Sequence, residues 1–410
     1  MTTAPMVRAP LRHFAPRTIT ADELLWTGHT GFCTVFPEEH IGRTSQLRID
    51  GATASHAIET LRRLFDNPGY ASAPISFARL NGVFVDTSLG VAATRDGILI
   101  EETAVVAQAI DPSLAAIHDA VRDGRSAIFR DTEQTPVLHC FHRATPAYGH
   151  FIFDGLSVIA WFRDAILAER IKVLFPPFFP AWGLDILASL GLDRDRHMIR
   201  PGESVVFCHE IVIPTIIQTA NTFFPNRAFC TGLHDAIVEA SGARKRPART
   251  RHIYLSRMNQ INYSNRSIDN EDAVRRTLAS MGFAILEPGN MPFTAQIAAF
   301  NDAAVIVGGH GSTFGNLIAA RPGATVVDLM PESWIGFWDK PEAERWVLHM
   351  TTLFGLDYLP ILCCSELIDR NESDDATARR AKGMHYEVDL NLLKRVVGRA
   401  QDQDYQARDG

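Results

Sequence analysis

The segment Asn301–Glu332, NDAAVIVGGHGSTFGNLIAARPGATVVDLMPE, restricts the fold more than any other part of this 410-residue chain. Ala304–Val307 is a short apolar run rich in β-branched residues, the pattern of a strand buried in a parallel sheet. Gly308, Gly309 and Gly311 let the backbone turn sharply and come close to a ligand. Ser312 or Thr313 is placed to cap a helix carrying Phe314, Leu317 and Ile318. A Pro-Gly turn then leads into a second strand. Exposed N–H groups at such a helix start form a site for phosphate, and His310 and Asn316 add polar groups beside it.

The flanking sequence extends this alternation. His252–Arg257 reads as a strand and Asn270–Met281 as a helix, with Asp269 or Asn270 as its cap. Phe283–Leu286 is a further strand and Thr294–Asn301 a further helix. Strands alternating with helices of this length predict a parallel sheet covered on both faces. Upstream, residues 25–110 carry strand-and-turn patterns, and mixed α/β texture begins near residue 113. There, Pro136–Phe141 and Ile171–Phe175 read as strands, as do Ser204–Phe207 and Ile211–Ile213. Gly149–Leu167 and Trp182–Leu190 have helical spacing. Ser241–Thr250, SGARKRPART, has the Gly, Pro and charge of a linker. A chain of 410 residues is long for one core. The expected division is therefore 1–240 and 241–410, with Asp389–Ala400 as a final helix.

Composition excludes several classes. Hydrophobic residues at 46% and charged residues at 21% describe a globular protein rather than a disordered one. A net charge of -7 gives no reason to expect nucleic acid as a partner. The basic cluster Arg244–Arg251 reads most simply as a solvated linker, with phosphate or an anionic membrane as the alternative. Cys33, Cys140, Cys208, Cys230, Cys363 and Cys364 show no paired or finger spacing, and Cys363–Cys364 reads as two small core residues. The first residues, MTTAPMVRAPLRHF, lack a secretory apolar core. No apolar run reaches the ~20 residues of a membrane span. A cytoplasmic protein is expected, with peripheral membrane contact left open.

Four segments together resemble glycosyltransferase family 61. They are YGHFIFDGL at Tyr148–Leu156, IYLSR at Ile253–Arg257 followed by Asn270–Glu271, GGHGSTFGNLIAARPGATVVDLMP at Gly308–Pro331, and the stretch from Phe354 to Cys364. The resemblance implies an α/β fold of GT-B type, with two Rossmann-like domains facing a cleft. It implies sugar transfer with inversion from a nucleotide-sugar donor, UDP-linked, to a glycan acceptor in polysaccharide biosynthesis, with no metal cofactor required. The first domain would serve the acceptor. The second would bind the donor, and the last helix would cross back to the first. Asp328 departs from the pattern, since many relatives carry Glu there.

An inverting transferase needs a base for the acceptor hydroxyl and something to stabilise the leaving diphosphate. His150 and Asp154 are four residues apart and share a helix face. Spacing alone is met by a helix cap with a buried histidine; the family motif makes catalysis the better reading. Asp154 is then the base with His150 orienting it, or the reverse. His139 and His142 are expected on a strand and its exit loop. Arg257 ends a strand, where open α/β sheets bind ligands, and its guanidinium suits a diphosphate. Gly309, His310, Gly311 and Ser312 would cradle the same group. His310 serves equally well as a structural turn residue, Asn316 as a backbone partner, and Asp328 as a turn residue or a ribose ligand. Asn270 and Glu271 read first as a helix start. Asp193-Arg-Asp195 has a DxD form in an arginine-rich setting that suggests a solvated loop, so no metal site is expected. The alternatives to a transferase are a non-catalytic glycan or sugar-nucleotide binding module and a sugar-nucleotide epimerase.

Overall fold

The computed structural model describes residues 8–9, 31–51, 55–66, 68–72, 74–94, 97–104, 107–124, 127–128, 135–177, 179–201, 205–215, 218–219, 222–243, 251–258, 267–335, 345–365 and 385–409. The chain falls into two compact units. The first comprises Met1–Glu39, Ala71–Ala220 and Phe224–Ala236, and the second His40–Tyr70, Asn221–Phe223 and Ile237–Gly410. Residues 40–70 thus belong with the second unit. Their backbone joins its sheet where Asp50 and Gly51 pair in parallel with Ile361 and Leu362.

The first unit is built on a mixed sheet. An antiparallel meander of β1 (Ile75–Asp86), β2 (Val91–Thr94) and β3 (Leu99–Ile100) forms one side. The other side holds β4 (Val137–His139), β5 (Lys172–Leu174), β6 (Met198–Ile199) and β7 (Val205–Pro214). The two stretches expected as separate strands around residues 204–213 are one continuous strand, β7, because its backbone pairs along its length with β1. The order β6–β5–β4–β7 is wholly parallel. Successive strands step outward from β4 in one direction, and β7 returns to its other side. Such a reversal opens a crevice beyond the C-terminal end of the first strand. Val137, Leu174, Val206 and Ile211 bury together at the centre.

The second unit holds β8 (Arg251–Leu255), β9 (Ala284–Leu286), β10 (Ala303–Gly309), β11 (Thr325–Pro331) and β12 (Asp357–Ser365) in a parallel sheet of order β9–β8–β10–β11–β12. The short strand β13 (Tyr386–Glu387) adds on antiparallel. Every residue of β10 and β11 is buried, as the β-branched runs require of central parallel strands. Helices α1 (Glu271–Ser280), α2 (Phe293–Asp302), α3 (Trp346–Phe354) and α4 (Leu390–Asp409) accompany this sheet. Leu392, Leu393, Val396, Val397 and Ala400 of α4 bury among Tyr254, Val305 and Val327 of their own unit. Cys363 and Cys364 also part company, one buried and one exposed, because neighbours on a strand face opposite ways. Among the described residues, no helix is long and apolar enough to cross a membrane.

Candidate active site

The first cluster forms at the crevice of the first unit. β4 delivers His139, whose Nε2–H donates to the Gly90 carbonyl at 2.9 Å. Burial lowers the His139 pKa to about 4, so this ring is neutral. The chain then makes a tight turn at His142–Thr145. The Thr145 hydroxyl accepts from His142 N at 2.8 Å, and Thr145 N returns to the His142 carbonyl at 2.9 Å. A helical run follows. It is α-helical at Tyr148–His150, widens to a π-helical turn at Phe151–Leu156, and resumes as α-helix at Ser157–Trp161. All six residues of the wide turn are buried. Such local widening recurs at functional sites because it re-aims side chains without ending the helix.

His150 and Asp154 do meet, with Nδ1 and Oδ2 2.9 Å apart. A third residue joins them. His142 Nε2 lies 2.9 Å from the same Oδ2. The side chains of Asp154 and His142 are 0% and 1% exposed, whereas that of His150 is 26% exposed. Of the three, only His150 is open to solvent. Burial is the strongest single influence on Asp154 and raises its pKa. The hydrogen bonds from His142 and then His150, with their charges, outweigh it, and the net shift is downward. The carboxylate stays ionised and orients His150 through Nδ1–H, leaving Nε2 without a hydrogen-bond partner among the described residues.

The two imidazoles and the carboxylate are close enough together to hold a cation. The tautomer of His142 argues against that use. Its Nδ1 accepts from Ala144 N at 3.3 Å, which leaves the proton on Nε2, where a metal would need a lone pair. The DxD triplet lies at a helix start. Asp193 caps the short helix Arg194–His197, accepting from Asp195 N and Arg196 N at 2.9 Å each.

The second cluster lies at the equivalent point of the second unit. β8 and β10 are neighbours, with β9 on one side and β11 on the other, so the strand order reverses between them. Arg257 follows β8 and the glycine turn follows β10, each at a C-terminal end. The Arg257 guanidinium makes one hydrogen bond, Nη1 to the His310 carbonyl at 3.3 Å, and its buried Nε has no partner among the described residues. Glu271 fixes the backbone beneath it. One carboxylate oxygen of Glu271 accepts from Tyr254 OH at 3.2 Å, Ser256 OH at 2.8 Å and Arg257 N at 2.8 Å. Glu271 is thus more than a helix start. Asn270 does not cap α1 through its side chain; it clasps Val388 instead, at 2.8 and 3.1 Å.

The glycine turn differs in detail from the sequence reading. Gly308 and Gly309 continue the strand, and the sharp change comes at Gly311, with φ 155° and ψ -178°. That region is open essentially to glycine alone. Ser312–Ala319 is a 3₁₀ run with Gly311 at its cap position, so neither Ser312 nor Thr313 caps it. Both are half-buried. Gly309 is glycine for a packing reason: a Cβ there would lie 2.6 Å from the Tyr386 hydroxyl.

His310 and Asp328 turn inward. His310 Nδ1–H donates to Asp328 Oδ2 at 2.7 Å, and its Nε2 accepts from the Trp346 indole at 3.2 Å. Tyr358 OH donates to the same Asp328 oxygen at 2.8 Å. Both ring nitrogens of His310 are occupied and Asp328 is fully buried. Through Oδ2, Asp328 buttresses the turn from below, with His310 as the link, while its buried Oδ1 has no partner among the described residues. Asn316, also fully buried, donates to Gln296 of α2 at 2.9 Å and so braces the run rather than facing a ligand.

The fold is α/β, with a histidine–carboxylate pair beside one sheet and a glycine-and-arginine turn beside the other. The family model described as Glycosyltransferase 61 matches residues 148–327, a span that begins two residues before His150 and takes in Arg257 and the glycine turn. No curated protein matches the chain. Residues 148–327 thus carry a glycosyltransferase family 61 domain, which supports a glycosyltransferase enzyme.

Proposed function

We propose that this enzyme transfers a sugar, with inversion, from a nucleotide-sugar donor to a glycan acceptor, with His150 as the general base. The observation that carries the reading is the contrast in exposure within the pair. Asp154 is sealed off and ionised, while His150 is held by it and open to solvent. His150 Nε2 takes the proton of the acceptor hydroxyl as that oxygen bonds to the anomeric carbon. The bond to the diphosphate breaks, and its electron pair leaves with the phosphate oxygen. Asp154 stabilises the imidazolium that forms, and His142 holds Asp154.

The second unit would bind the donor. Arg257, with no carboxylate partner among the described residues, offers a two-pronged cation to the diphosphate. The 3₁₀ start at Gly311–Ser312 offers N–H groups with no partner inside the run. Such donors can offset the leaving group's charge without a metal. In this reading the two units form a GT-B pair in polysaccharide biosynthesis, using a UDP-linked donor in the cytoplasm. The test is a screen of nucleotide sugars for thermal stabilisation, since a ligand of the folded state raises its stability, followed by transfer assays with the hits. Stabilisation by UDP-sugars with acceptor-dependent UDP release is expected. Donor turnover without any acceptor would favour an epimerase.

A further inference from the structure

We propose that a hollow beside the His150 helix is an acceptor subsite for a carboxylated sugar, a uronic acid residue. The inference rests on the reading of His150 as the acceptor-side base. The hollow measures ≈ 450 Å³ and is lined by Pro146, Pro177, Phe179, Pro180 and Arg200. That volume lies within the range of small-molecule sites, about 300–1,000 Å³. Its lining is continuous with the catalytic run. The Phe179 ring packs on Phe151 at 5.0 Å, and Trp182 packs on Phe151 at 5.5 Å and on Tyr148 at 5.3 Å. Phe151 is the residue after His150.

The chemistry of the lining selects the occupant. Proline rings present flat apolar faces of the kind that the C–H face of a sugar ring packs against, with the largely buried Phe179 ring beside them. Arg200 is the one charged group among them. It is half-buried, and its single hydrogen bond is a long one, Nη2 to the Pro177 carbonyl at 3.4 Å. No carboxylate pairs with it among the described residues. A half-buried guanidinium with no carboxylate partner among the described residues suits an anion, and its planar fork matches a carboxylate. A neutral sugar would fill the hollow but leave that fork unmatched.

Ligand-observed NMR tests this with methyl β-glucuronide, methyl β-glucoside and glucose 6-phosphate as probes. The glucuronide should bind wild type and His150→Ala alike, and about 10-fold or more weaker to Arg200→Gln. Arg200→Lys, which keeps the charge but loses the fork, should fall between. The glucoside should bind wild type more weakly than the glucuronide and be indifferent to Arg200. Thermal melts matching wild type would show that the Arg200 variants are folded. Equal binding of glucuronide and glucoside, glucuronide binding unchanged in Arg200→Gln, or preference for the phosphate would each overturn the proposal. Binding is read without turnover. An enzyme whose His150→Ala variant still transfers sugar normally would thus count against the base, not against the hollow.

Discussion

Asp154→Asn separates a catalytic pair from a merely structural one. The substitution keeps the shape of the side chain and one oxygen able to accept hydrogen bonds. It removes the charge that makes the two 2.9 Å contacts from His142 and His150 charge-assisted. Each contact then falls from about 1.5–3 to about 0.5–1.5 kcal/mol. The folded state should lose roughly 2 kcal/mol, a fraction of the ~5–15 kcal/mol typical of a domain, so the variant should fold. Turnover should fall much further. Without the carboxylate, nothing compensates the imidazolium or holds the proton on Nδ1, and a general base typically contributes about 10²–10⁴ in rate. Steady-state transfer, a thermal melt and calorimetry with nucleoside diphosphate should be run on the same preparation. The expected outcome is a folded protein, nearly unchanged diphosphate affinity, and turnover down by about that factor. A folded variant with near-normal turnover would refute the reasoning. Unfolding in step with lost activity would assign the pair to structure alone.

Further outcomes follow from the same geometry. Arg257→Ala should weaken nucleoside-diphosphate binding by ~1.5–3 kcal/mol, and unchanged affinity in calorimetry would remove Arg257 from the site. Gly309→Ala should cost about 1–3 kcal/mol through the clash with the Tyr386 hydroxyl, and adding Tyr386→Phe should recover part of it; a melt showing no recovery would mean the turn yields elsewhere. Asp154 has a lowered folded pKa, so its contribution is complete above the ordinary carboxylate value of about 3.9 and is lost as pH falls through the folded one. The stability gap between wild type and Asp154→Asn should accordingly hold at neutral pH and close in acid, and a gap that widens in acid would contradict that sign. Transfer should persist in EDTA; loss restored by manganese would bring the His142, His150 and Asp154 cluster back as a cation site.

Much of this was legible from local pattern. The alternation of β-branched runs with helical spacing gave the parallel sheet of the second unit, and the i, i+4 spacing brought His150 and Asp154 together even through a π-helical turn. What escaped was non-local. His142 lies on the exit loop of β4, too far along the chain for helix spacing to pair it with Asp154. The available clue was its place just past a buried strand that starts a parallel sheet, where crevices open. Gly309 reads as a place for a ligand, but the space is filled by Tyr386 from far downstream. His310 and Asp328 read equally as turn residues or ligands, and only partners from later elements, Trp346 on His310 Nε2 and Tyr358 on Asp328 Oδ2, show how they are tied into the protein. Nothing local in residues 40–70 announces that Asp50 and Gly51 pair with β12.

The central claim is that the exposed histidine, and not the buried carboxylate, takes the acceptor proton. Transfer rate and donor dissociation constant measured together on His150→Ala test it most directly. The account predicts turnover reduced about 10²–10⁴-fold, with donor affinity close to wild type and a protein still folded after losing one charge-assisted contact of about 1.5–3 kcal/mol. A His150→Ala enzyme that binds donor and transfers sugar at a near-normal rate would place the base elsewhere.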